Sequence, residues 1–223
     1  MSRQDDMEDH VQEVGGRWRA RAPRSDIDAT SAALRSGRIV VLVDDLEHGC
    51  AYLVQGAETA SAESVAFLVT HSTGYLRVAI PEAAAQRMGL PLMVPWEPAG
   101  TGYTVTVDAA SCSGTGISAT DRAHTIRLLA APSTQRADFT RPGHVAPVQV
   151  PDDEPRWTPA RAGLELLRGT GAPPAAVYAE LVAEGVHTDL ATVVEASIFA
   201  SAHGLKLLRL SQLALTSSLP ASA

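Results

Sequence analysis

The chain has 223 residues, 45% of them apolar, which is enough for one sizeable core. A net charge of −7 and a pI near 5.4 argue against nucleic acid and anionic membranes as partners. Cys50 and Cys112 make no disulfide framework, no apolar run approaches the roughly 20 residues of a membrane span, and the acidic opening MSRQDDMEDH is unlike a signal peptide, so a cytoplasmic protein is expected.

Residues 1–24 are polar with little periodicity and read as a flexible N-terminal extension. SDIDATSAALRSG (25–37) is predicted as a helix, with Ser25 or Asp26 at its start and Gly37 at its end. RIVVLV (38–43) reads as a buried strand, and DDLEHGCAYLV (44–54) as the loop that follows it. A helix is expected over 61–74, a strand over YLRVAI (75–80) and a short helix over 81–89, with Pro81 suited to its first turn. YTVTVDA (103–109) alternates with period two, as a half-buried strand does. SATDRAHTIRLLA (118–130) is a helix with a capping pattern at Ser118 and Asp121. Residues 147–156 read as a Pro- and acid-rich loop, and 158–169 as a helix capped by Thr158 with Pro159 at its first position. AAVYAELV (175–182) fits either element type; 190–204 reads as a helix and LKLLRL (205–210) as a final buried strand, followed by a tail over 217–223. The alternation favours one layered α/β or α+β domain over 25–216, with a mixed sheet.

Three stretches could carry chemistry. SGTGIS (113–118) places two glycines and small hydroxyls before a helix start, where free N–H groups suit an anion; an ordinary capped turn is the competing reading. His144 is held in the rigid RPGHVAP segment (141–147), read as a turn, where it could transfer protons or simply bond to backbone. Glu180, among Val177, Ala179, Leu181 and Val182, becomes a usable acid or base if buried, and a solvated surface group if not. His48, His71, His124, His187 and His203 carry weaker signals, and no H-E-x-x-H or C-x-x-C spacing marks a closed metal site.

In combination, RIVVLVDD, HSTG (71–74), MGLPLMV (88–94), YTVTVDA, SGTGISATDRAHTIR (113–127), RPGHV (141–145) and the Glu of VYAEL resemble 3,4-dihydroxy-2-butanone 4-phosphate synthase, in order and spacing, over about residues 27–213. The resemblance implies a single α+β domain with a mixed β-sheet flanked by helices, a homodimer with active sites near the subunit contact, and a strand at AAVYAELV. It also implies a Mg²⁺-dependent rearrangement of ribulose 5-phosphate that expels formate. Thr115 and Gly116 match the turn that binds substrate phosphate, while His144 and Glu180 match essential residues, and Arg141 accompanies His144 in the motif.

The departures are large. The family's acidic loop, of the type D-D-E-D-R-E-N-E-G-D, is replaced by DDLEHGCAYL, with Cys50 and His48 near its Glu positions and Tyr52 at its last Asp. Where a G-H-T-E-A segment supplies a metal-binding His, this chain has RWTPA: Trp157 replaces the His, Thr158 is kept and Pro159 replaces the Glu. Arg156 is the nearest substitute for a phosphate-binding arginine. No Mg²⁺ is therefore expected in the family position and no other cofactor is implied. Cys50, Tyr52 and Trp157 suit a less polar ligand. The expectation is a metal-independent acid/base enzyme performing enolisation, dehydration, isomerisation or C–C cleavage of a hydroxyketone-like small molecule, specialised metabolism being the setting that such divergence fits. The alternatives are the unaltered family reaction and a noncatalytic binding protein.

Overall fold

The structure, a computed structural model, describes residues 11–14, 17–20, 24–94, 102–185 and 189–217. The expected extension falls largely outside these residues, as does the tail beyond 217 and His187. Within the extension, β1 (Val11–Val14) and β2 (Arg17–Ala20) pair with each other as an antiparallel ribbon.

The body is one seven-stranded mixed sheet between two layers of helices. Its strands are β3 (Val40–Val43), β4 (Ala51–Gly56), β5 (Arg77–Pro81), β6 (Val107–Ala109), β7 (Phe139–Val150), β8 (Ala176–Glu180) and β9 (Lys206–Arg209), in the order β6-β7-β5-β8-β4-β3-β9. The pairs β3/β9 and β5/β7 are parallel and the others antiparallel. The helices are α1 (Arg24–Arg35), α2 (Ala62–His71), α3 (Glu82–Arg87), α4 (Ala119–Ala130), α5 (Pro159–Leu167), α6 (Val193–Ala202) and α7 (Leu210–Ser217).

Strand alternation divides the core in two. Val41, Val43, Leu53, Val78, Ile80 and Val177 face Val65 and Leu68 of α2, Ile126 and Leu129 of α4, and Phe199 of α6. Val40, Leu42, Tyr52, Val54, Ala176 and Tyr178 face Leu34 of α1, Leu164 and Leu167 of α5, and Leu213 of α7. Central strands covered on both sides lose polar/apolar alternation, so RIVVLV reads as a continuous apolar run.

Local caps place the helices near their predicted starts. Ser118 Oγ accepts from Asp121 N at 3.0 Å, and Thr158 Oγ1 from Arg161 N at 3.2 Å, with Pro159 opening α5. Four expectations are corrected. The loop after β3 spans only 44–50, because Ala51–Gly56 is β4, buried throughout. RPGHVAP is no turn but lies within β7, whose entrance pairs with β6 through a register irregularity between Val107 and Asp108. Gly143 is needed there for close approach: a Cβ at this position would stand 2.0 Å from the Val107 carbonyl carbon. The strand expected over 103–109 is regular only from Val107, and the last strand is a short edge, with Lys206 and Arg209 exposed and α7 following at once.

Candidate active site

Ala146, Arg77, Tyr178 and Val54 form one row across β7, β5, β8 and β4. Two residues toward the same end of the sheet stand His144 on β7 and Glu180 on β8, separated by two inter-strand spacings, about 10 Å. Each has its own partner rather than the other.

His144 belongs to an exposed dyad. Its Nδ1 lies 2.7 Å from Asp108 Oδ2 and its backbone N–H donates to Asp108 Oδ1 at 2.9 Å. The neighbouring Gly143 N–H donates to Thr106 Oγ1. Asp108 is 7% exposed, so its carboxylate fixes the imidazole from beneath while the ring's other nitrogen can face outward. The SGTGIS turn closes over this dyad. Gly116 has φ +86°, and a Cβ there would stand 2.2 Å from Asp108 Oδ2. Thr115 is exposed beside it. The structure thus brings Thr115, Gly116 and His144 into one neighbourhood and adds Asp108.

Glu180 faces Tyr52 across β4 and β8. Its Oε2 lies 2.5 Å from Arg77 Nη2 and accepts from Thr73 Oγ1 at 3.2 Å. Arg77 is almost buried; its Nη1 donates to the Tyr103 hydroxyl at 3.1 Å, and its guanidinium carbon lies 4.5 Å from the Tyr178 ring centre. Burial pulls the Arg77 pKa down, but Tyr178, Tyr103 and Glu180 outweigh it, so the net direction is up and the cation persists. Among the described residues, neither Nε nor Nη2 of Arg77 finds an acceptor in good hydrogen-bond geometry, the contact to Glu180 being off line. Arg77 has no counterpart among the sequence-derived candidates. A lone cation inside the apolar run YLRVAI is the signal that could have found it.

Arg77, Tyr52, Tyr103 and Tyr178 line a cleft of about 490 Å³ together with Asp44, Glu47, Glu154, Arg156 and Thr158. That volume suits a small ligand. Burial pushes the Tyr52 and Tyr178 phenols up, so both present neutral hydroxyls. Cys50 lies beside Tyr52, its Sγ 3.4 Å from the phenol oxygen, and burial raises its thiol too.

Other expected ligand-binding residues stand elsewhere. Trp157 packs on the core under Arg161, 4.3 Å from ring centre to guanidinium carbon, while its neighbours Arg156 and Thr158 reach the cleft. Arg141 does not line the cleft: it donates to the carbonyls of Met88, Arg136 and Phe139. Arg141→Ala should therefore lower folding stability by about 3 kcal/mol, from lost charge-assisted bonds, and leave ligand affinity unchanged. Urea denaturation beside a binding titration checks this; weakened binding at unchanged stability would restore Arg141 to the site.

Most of the carboxylates near the cleft are already engaged by the protein. Asp44 is buried and its Oδ1 accepts from the N–H groups of Leu46 and Glu47, forming the turn after β3. Asp45 accepts from Ser211 N and Oγ at the start of α7. Glu154 is paired to Arg156, which holds its pKa down, and Glu180 to Arg77. These four acids are each committed to a protein donor, whereas Glu47, which also lines the cleft, has a side chain 47% exposed with His48 Nε2 3.8 Å away; Mg²⁺ requires several oxygens turned to one point.

A family model for 3,4-dihydroxy-2-butanone 4-phosphate synthase matches residues 28–215. The chain is 40% identical over 192 residues to riboflavin biosynthesis protein RibBA of Mycobacterium marinum, covering 84% of this chain and 45% of that protein. The chain thus spans about half the length of the curated relatives it matches. A crystal structure of 3,4-dihydroxy-2-butanone 4-phosphate synthase from Candida albicans superposes with a TM-score of 0.80 at 33% identity, covering 89% of this chain and 99% of that one. Another, in complex with two magnesium ions, superposes with a TM-score of 0.79 at 35% identity, covering 86% and 95%.

Proposed function

We infer the function from one premise: the chain belongs to the 3,4-dihydroxy-2-butanone 4-phosphate synthase family. On that premise it is a lyase- or isomerase-type enzyme acting on an enolisable hydroxyketone, in a cleft where a protein cation takes over from a metal ion. The carrying observation is Arg77: a charged side chain lining the cleft, paired to Glu180, with two N–H groups lacking a good acceptor among the described residues. Both nitrogens are shielded from solvent, so the cation would act through its charge at the cleft wall, stabilising an oxygen that becomes anionic when a proton leaves the adjacent carbon. The hydroxyls of Tyr52, Tyr103 and Tyr178 orient the substrate's own hydroxyls, and the apolar wall at Val148 and Val150 limits water. His144, held by Asp108 and not among the residues lining this cleft, is the proposed proton-transfer group. The family's homodimer, with active sites near the subunit contact, would give its exposed face a second cleft to serve.

Similarity along the chain favours a second reading, the family's own conversion of ribulose 5-phosphate. One experiment separates the two. The protein is incubated with ribulose 5-phosphate and with neutral hydroxyketones such as acetoin in D₂O, with Mg²⁺ or with EDTA, following formate and carbon-bound deuterium by NMR. Deuterium exchange that is insensitive to EDTA is expected. Formate release should be roughly a thousandfold or more below a Mg²⁺-dependent relative, since metal stabilisation is worth several kcal/mol. Formate release driven by Mg²⁺ and abolished by EDTA would establish the family reaction. Neither exchange nor formate across the panel would favour the noncatalytic alternative.

A further inference from the structure

We propose that His71, His203 and Glu184 form a binding site for one divalent transition-metal ion of the zinc class, outside the cleft. The donor atoms of these three side chains all lie within 4.8 Å of one another, and none of the three lines the cleft. They come from three separate places in the chain. His71 is the last residue of α2, His203 caps the C-terminus of α6, and Glu184 lies in the turn beyond β8.

The convergence is built by the fold. Val182 N donates to the His71 carbonyl at 3.2 Å, Thr73 N to the Glu180 carbonyl at 2.9 Å, and Ser72 bridges Leu181, so the end of α2 is stitched to the segment carrying Glu184. The two imidazoles sit in an aromatic cluster: His71 and His203 are 5.2 Å apart by ring centres, His71 lies 4.5 Å from Phe67, and His203 lies 4.2 Å from Phe199. These contacts limit the ring orientations available. Two helix C-termini also meet here, and their carbonyl ends favour a cation.

The donor set selects the ion. Two imidazoles and one carboxylate, with a remaining position for water, match zinc-class ions, whereas Mg²⁺ prefers oxygen ligands throughout. Metal–ligand bonds of about 2.0–2.2 Å in a tetrahedron put donor atoms roughly 3.4 Å apart. The exposed Glu184 can close most of the remaining distance by side-chain rotation, with small adjustments of the two rings. Because Thr73 and Glu180 lie on the same two segments, a bound ion would act as a clamp behind the Arg77–Glu180 pair.

The test uses the tag-free chain, stripped with chelator and dialysed against Zn²⁺ buffered by nitrilotriacetate, with Co²⁺ as an optical probe. One equivalent should bind, uncompeted by Mg²⁺. Co²⁺ should give ligand-field bands without a thiolate charge-transfer band, which separates this site from Cys50 and Cys112. His203→Ala and Glu184→Gln should each weaken binding about a hundredfold or more, since even an outer-shell partner is worth 10–100-fold. Both residues are exposed, and circular dichroism verifies that each variant is folded. Absence of binding in the parent chain, a thiolate band, or undiminished affinity in both folded variants would overturn the site.

Discussion

Replacing Arg77 by methionine should cost about 3–5 kcal/mol of folding stability, because it leaves the Glu180 carboxylate poorly solvated with no cation. The Arg77 side chain is 8% exposed and that of Glu180 18%, so water repairs little of the loss. The Thr73 hydroxyl alone then remains of Glu180's two side-chain partners described above. Adding Glu180→Gln should recover much of the deficit, since a neutral amide is far less costly to bury than an unpaired charge. Denaturant melts of the single and the double variant read both effects. A deficit under about 1 kcal/mol, or none recovered by Glu180→Gln, would show that the pair matters little to folding, as expected only for a solvated ion pair. The double variant also separates folding from chemistry: it should fold, yet exchange no deuterium into hydroxyketones.

The difference between what could be read along the chain and what could not follows from range. Helices α4 and α5 are legible because Ser118, Thr158 and Pro159 act on backbone groups within one turn of themselves. Strand β4 is hidden because its six residues are all buried, so neither alternation nor charge marks them; in the sequence, glycine and cysteine beside two aspartates look like loop. The roles of those aspartates also required the fold. Asp44 turns the chain back toward β4, while Asp45 meets Ser211 across 166 residues. Their position suggested chemistry, yet their hydrogen bonds are those of a turn and a helix start.

The site separates in the same way. His144, Thr115 and Gly116 are found by their motifs, but Asp108 is not, because 36 residues separate it from His144. Arg77 and Glu180 meet only through the pairing of β5 with β8. Trp157 and Arg141 sit beside informative residues in sequence but turn away from the cleft, and no local pattern states which way a side chain points. The family resemblance therefore located the neighbourhoods, and the non-local contacts decided which residues share them.

Asp108→Asn should reduce proton-transfer activity by about 10²–10⁴-fold while leaving the fold intact. The amide is nearly isosteric, so its oxygen can still accept from the His144 backbone N–H. Its NH₂ group then faces Nδ1, and that contact favours the tautomer carrying its proton on Nε2. The exposed nitrogen becomes a donor and can no longer accept a substrate proton, and the carboxylate charge that would balance an imidazolium is gone. His144→Ala should produce a loss of similar size, and the double variant should be little worse than either single one, because the two residues act as a unit. The rate of deuterium incorporation, measured for all three variants, checks the relation. Strictly multiplicative losses would mean that Asp108 contributes through something other than the imidazole. Gly116→Ala offers a geometric control on the same carboxylate. Its Cβ would occupy space already taken by Asp108, so if the dyad is the proton-transfer device, this change should depress activity without altering either titratable group.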